Sequence, residues 1–231
     1  MTDCLILTDR GILNMTDKLI AKAIEEIEQQ NFAVTKQYLS IHEIPFEHGK
    51  PKVARVDTDR TDDVAIVYFP VVEEDFFIAV YLKTKPQIEV QFVGSEAGNA
   101  VYLRVISDTL TLDEIKAMTK LEPTRGWNKG DRKPTPRGHY TLSAFFLEPD
   151  PVRADEVEDK IAKLLDLLEQ DREGIMKMAR QAKAMMQVHW HSHNGNGMLG
   201  GLYLDKEMIN RMAALELEID FDVYTGGNPF E

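Results

Sequence analysis

The chain has 231 residues, 43% hydrophobic and 29% charged, enough for one large domain or two small ones whose core needs no covalent staples. Its formal net charge is −12 and its isoelectric point is near 5.0. The acidic excess lies on both sides of residue 100. Phosphate backbones and anionic membranes are held by clustered Lys and Arg, so neither nucleic acid nor a membrane is expected as a partner, whereas a basic protein is.

The single cysteine, Cys4, excludes an intrachain disulfide framework. No apolar run approaches the roughly 20 residues a bilayer helix needs, and a cytoplasmic location is expected. In the first half, residues 5–7 hold a short apolar run, and this lead reads as a weakly held strand or as partly mobile. Thr16 reads as the cap of a helix in which Leu19, Ile20, Ala23, Ile24 and Ile27 recur at helical spacing, and Asn31 as its stop. Beyond it the period shortens. Residues 53–56, 64–69, 76–82 and 88–92 are β-rich runs divided by turn residues, which predicts an antiparallel meander. The third run is apolar at both parities and should be a central strand. In the fourth, Ile88, Val90 and Phe92 alternate with Glu89 and Gln91, so one face should be wet. The boundary falls best within residues 94–99, giving a helix-plus-meander region over 1–99 and an α+β domain over 100–231.

In the second half, Val101, Leu103 and Val105 alternate with Tyr102 and Arg104 as a strand. Thr111 and Glu114 have the spacing of a capping box before Leu112, Ile115 and Met118. A loop over 121–131 carries Trp127 between Gly126 and Gly130, and a strand over 140–147 follows. Val157, Ile161, Leu164, Leu165 and Leu168 form the stripe of a helix over 155–169, with a break near Gln170 and further helix over 172–183. Residues 185–191 read as a strand. Asn194-Gly195-Asn196-Gly197 reads as a hairpin turn, with a return strand over 199–204. Asp205 can cap a helix carrying Met208, Ile209 and Met212. Leu217, Ile219, Phe221 and Val223 make the last strand, opposite Glu218, Asp220 and Asp222. The expected class is α+β: an antiparallel or mixed sheet with helices mainly on one face, preceded by the N-terminal helix and meander.

Residues 100–224 resemble a bacterial family known as domain of unknown function 4279. The resemblance rests on Pro123, the run Trp127-Asn128-Lys129-Gly130-Asp131, the long amphipathic helix, the Asn/Gly turn and the closing Glu218-Ile219-Asp220-Phe221-Asp222-Val223-Tyr224. The resemblance implies no particular activity and brings no catalytic residues. Residues 1–99 lie outside it.

Two groups of residues are candidate sites. Arg125, Trp127, Lys129, Asp131 and Arg132 form the clearest basic cluster on an acidic chain. An aromatic among cations can stack a flat or anionic ligand. Equally, Trp127 can plug the sheet edge while Lys129 and Asp131 close the loop. His189, His191 and His193 share a strand parity opposite Met186, Val188 and Trp190, which places them on a wet face if the apolar set is buried. Strand rise sets the outer two roughly 13 Å apart, so at most one adjacent pair can share an ion, with a carboxylate such as Asp220 or Asp222 as third ligand. The alternative is cross-strand polar pairing. The chain has no nucleophile elbow, no Walker-type loop and no dinucleotide fingerprint. Methionines at 176, 178, 185 and 186 read as core filling. The leading expectation is a non-enzymatic, immunity-type protein-binding module with an acidic surface and no cofactor. The competing one is a metal-dependent hydrolase using His189 or His191 with a carboxylate.

Overall fold

The computed structural model describes residues 6–60, 62–134, 138–149, 154, 156–195 and 201–230. The chain forms two compact units: one built from Met1–Gly98, His191–Leu199 and Thr225–Glu231, the other from Asn99–Trp190 and Gly200–Tyr224. The architecture is α+β.

The first unit opens with helix α1 (Ile6–Gln29) and helix α2 (Ala33–Ile41). A small ribbon, β1 (Phe46–Glu47) with β2 (Lys50–Pro51), precedes four antiparallel strands: β3 (Arg55–Asp57), β4 (Val64–Pro70), β5 (Phe77–Lys83) and β6 (Glu89–Glu96). Leu19, Ala23 and Ile27 of α1 pack with Tyr38 of α2, Val67 and Phe69 of β4, and Ile78, Val80 and Leu82 of β5 to form one core. Strand β5 is central, as its two apolar parities predict, and Phe77 through Val80 are all buried.

Some local expectations change, and helix α2 corresponds to none of them. Residues 6 and 7 are helical, not strand, and Thr16 lies inside α1. A capping residue favours a helix start by only about 1 kcal/mol, less than a nucleated helix gains by growing past it. Helix α2 has no clear periodic stripe, and it is pinned instead by Glu26. That buried carboxylate accepts from the Phe32 backbone N–H at 3.1 Å and the Thr35 hydroxyl at 2.6 Å. In β6, the register slips by one residue opposite Tyr81 and Leu82. This bulge flips the alternation, so that Val90 and Val93 face the core while Phe92 stacks on Tyr81 with ring centroids 3.9 Å apart.

The second unit contains β7 (Gly98–Ser107, whose first residue belongs to the first unit), α3 (Leu112–Lys116), β8 (Arg125–Trp127), β9 (Ser143–Leu147), α4 (Val157–Leu168), α5 (Arg172–Gln181), β10 (Lys183–His193), α6 (Lys206–Ala214) and β11 (Glu218–Gly226). The last three residues of β10 and last two of β11 are counted with the first unit. The sheet order is β11-β10-β7-β9-β8. Val101, Leu103 and Val105 pack with Phe145, Leu147, Met186, Val188 and the α4 stripe of Ile161, Leu164, Leu165 and Leu168. Met178 and Met186 are fully buried, as core-filling methionines should be.

The Thr111–Glu114 capping box is present on both sides, and Asp205 caps α6 by accepting from the Met208 N–H at 2.7 Å. The break near Gln170 is a 3-10 turn over Glu169–Asp171. The return strand is corrected: residues 201–204 have no regular structure, and residues 196–200 lie outside the described ones. The turn chemistry at Asn194 serves a different bond. Its N–H donates to the Gly226 carbonyl at 2.8 Å and its side-chain amide to the Gly227 carbonyl at 2.7 Å.

Candidate functional site

Every loop residue put forward as a ligand site takes part in closing the loop. Trp127 sits on the short edge strand β8, opposite Ala144 of β9. Its ring stacks on Tyr140 at 4.2 Å and leans on Phe146 at 5.0 Å. Arg125 lies over the other aromatics, 4.3 Å from the Phe146 centroid and 5.6 Å from that of Tyr102. The Lys129 ammonium donates to the Asp108 carbonyl at 3.0 Å, and its N–H donates to the Ser143 hydroxyl at 3.0 Å. Asp131 accepts from the Asn128 N–H at 2.7 Å, while Asn128 in turn accepts from the Leu112 N–H at 2.8 Å. Arg132 is exposed and bridges to His139 through the backbone. Thus Arg125 and Lys129 point to different acceptors, a ring face and a carbonyl. Trp127→Ala is expected to lower stability by about 2 kcal/mol, since a half-buried ring loses two aromatic neighbours. Thermal melting checks this, and an unchanged midpoint would show the stack to be idle.

The three histidines have different neighbours. His189 is half-buried and stacks on Tyr224 at 4.9 Å. His191 places Nδ1 3.9 Å from Asp75 Oδ2. His193, expected on a wet face, is only 1% exposed. Its parity is the expected one, but parity fixes only the direction of a side chain. What covers His193 is chain from far away in sequence. The ring meets Tyr38 at 5.3 Å, His42 at 5.0 Å, Phe76 at 5.1 Å and Phe230 at 5.0 Å. Both its nitrogens are engaged: Nε2 lies 3.1 Å from the Asn228 carbonyl, and Nδ1 accepts from the Gly195 N–H at 3.0 Å. That pair fixes the neutral tautomer protonated at Nε2. Asp220 is exposed, Asp222 is half-buried, and among the described residues neither joins a group of three ligating side chains. The carboxylate beside His191 is Asp75, which sequence spacing missed because it lies in the turn before β5.

Burial lowers the pKa of His193, against weaker opposing pulls from Asn228 and Glu74. Burial and then the neighbouring His193 lower that of His42. In the unfolded chain both titrate near 6.5. The unfolded state therefore binds more protons just below that pH, and the stability the pair contributes is complete above 6.5 and erodes as pH falls through the lower folded values. We expect the melting temperature to fall between pH 7.5 and 5.5, and the fall to shrink in His42→Leu. Equal slopes for both proteins would exclude this pair as the source.

Among the described residues, no helix is long and apolar enough to cross a membrane. A different surface does stand open. Among the described residues, strand β11 is an edge of its sheet, and Glu218, Asp220, Phe221, Val223, Tyr224 and Thr225 along it are exposed. Glu218, Asp220 and Asp222 share one parity; Phe221 and Val223, 37% and 57% exposed, share the other.

Comparison with known proteins finds no match among curated proteins and none among solved structures. The family model described as Domain of unknown function (DUF4279) matches residues 96–226, which run from the end of β6 through β11 and take in the Trp127 loop. More than half of the chain lies within that match, and the chain belongs to the DUF4279 family.

Proposed function

We propose that this chain is a non-enzymatic protein-binding module that holds a basic protein partner against an acidic surface, as immunity proteins do. The observation that carries this reading is the exposed edge strand β11, with Glu218, Asp220 and Asp222 on one face of its ribbon. Carboxylates on an open edge attract cations at long range and raise association rates with oppositely charged partners. The Trp127 loop adds support in the opposite sense, because two of its cations, Arg125 and Lys129, are engaged by Phe146 and by the Asp108 carbonyl. The test is capture from the native host at low and at high salt. A partner retained at low salt and released at high salt is expected; none at either salt counts against the reading.

A second reading, metal-dependent hydrolysis, takes its support from the approach of Asp75 to His191. Stoichiometric zinc or nickel in protein purified without a histidine tag would favour it, and substoichiometric metal would end it.

A further inference from the structure

The geometry points to strand addition at β11: an extended basic segment of the partner pairs with this edge as a further strand of the sheet, so that the partner is read by backbone as well as by charge. This rests on the protein-binding reading above and specifies the shape of what is bound. Within the second unit β11 runs from Glu218 to Tyr224, which makes an edge roughly 23 Å long. An edge strand leaves one row of N–H and C=O groups without a ladder partner, and such rows accept peptides in several recognition domains. Among the described residues the other edges are poorer templates. Strands β3 and β8 have three residues each, and β6 is broken by its bulge.

The side chains say which strand fits. Alternate residues point to opposite faces, so an added strand would lay one set of its side chains beside Glu218, Asp220 and Asp222, and the other beside Ile219, Phe221 and Val223. The complementary segment alternates Lys or Arg with β-branched or aromatic residues. A second copy of this chain is a poor occupant. Antiparallel pairing of β11 with itself about Asp220 sets Asp220 against Asp220 and Glu218 against Asp222, and like charges placed directly opposite destabilise a pair. The same carboxylates guard the edge against self-association while the exposed Phe221 and Val223 keep it receptive.

The probe is a capped nine-residue peptide of alternating lysine and valine, titrated calorimetrically into the full chain at low salt. Two further peptides carry backbone N-methyl groups, one on the lysines and one on the valines. These keep the charge but remove alternate N–H donors. Strand addition predicts that the parent binds and that one N-methylated peptide, whose blocked donors face β11, binds at least tenfold more weakly, while the other is little changed. Asp220→Lys, an exposed substitution whose fold is checked by circular dichroism, should also weaken the parent at least tenfold. If all three peptides bind equally, charge alone holds them: the acidic-surface reading stands and strand addition falls. If none binds, strand addition falls as well, and capture of the native partner decides the broader reading by itself.

Discussion

Gly227→Ala is expected to cost about 3–5 kcal/mol and to unseat the chain after Thr225 from the first unit. Two effects add. Gly227 has φ of +83°, which a residue with a side chain adopts at a cost of about 1–2 kcal/mol. A methyl at that position would also stand 2.9 Å from ring carbons of His193 and Phe76 and 3.0 Å from one of His42. These are stiff rings in a packed cluster, so the segment gives way first. With it go the Asn228 carbonyl from His193 at 3.1 Å, the Asn228 amide from the Ile41 carbonyl at 2.8 Å, and Phe230 from its edge contact with Tyr38 at 5.1 Å. Thermal melting and digestion with a carboxypeptidase read the result. A variant as stable and as resistant as the parent would show that the cluster yields where it is described as rigid.

Asp171→Ala is expected to cost about 3 kcal/mol, the second largest single effect. The Asp171 carboxylate holds three groups at once: the Lys120 N–H at 2.6 Å, the Thr119 hydroxyl at 2.7 Å and the Gly174 N–H at 3.3 Å. It thereby caps α5 and ties that helix start to the turn leaving α3. These bonds, that of Lys120 foremost, hold its pKa below the usual aspartate value. Its folded form therefore adds stability that is present above the unfolded pKa near 3.8 and lost as pH falls through the lower folded one. Gly174 is part of the device, because a Cβ there would lie 2.3 Å from Asp171 Oδ2 and 2.8 Å from the Met118 carbonyl. Asp171→Asn keeps one acceptor oxygen and should lose about half as much. Denaturant melts of both variants check the ranking, and an alanine variant no weaker than the asparagine one would refute it.

Much of the second unit is legible from its sequence because its signals are local. The α4 stripe, the Thr111–Glu114 box and the Asp205 cap each act within a few residues, where periodicity and side-chain chemistry suffice. The first unit is harder to read. Helix α2 is held by Glu26, six to nine residues away, and shows no stripe of its own. One extra residue in β6 reverses a face that perfect alternation in the sequence assigns the other way. The histidine cluster is harder still. His42, Phe76, His193 and Phe230 meet only because of the topology, and no spacing rule joins positions so far apart. The acidic face of β11 was visible as a parity of carboxylates. That it lies at an edge, among the described residues, follows from the sheet order: β11 takes the place beside β10 that Asn-Gly turn chemistry assigns to a return strand.

The first unit is assembled from three stretches of chain, the last of which begins at Thr225. This sets an order on biosynthesis. Helix α1 and strands β3 to β6 leave the ribosome early, but the aromatic wall that His193 and Phe230 supply to Tyr38 does not exist until synthesis has passed residue 230. Until that stretch is made, then, Tyr38 and Phe76 wait beside a gap that residues far downstream draw closed.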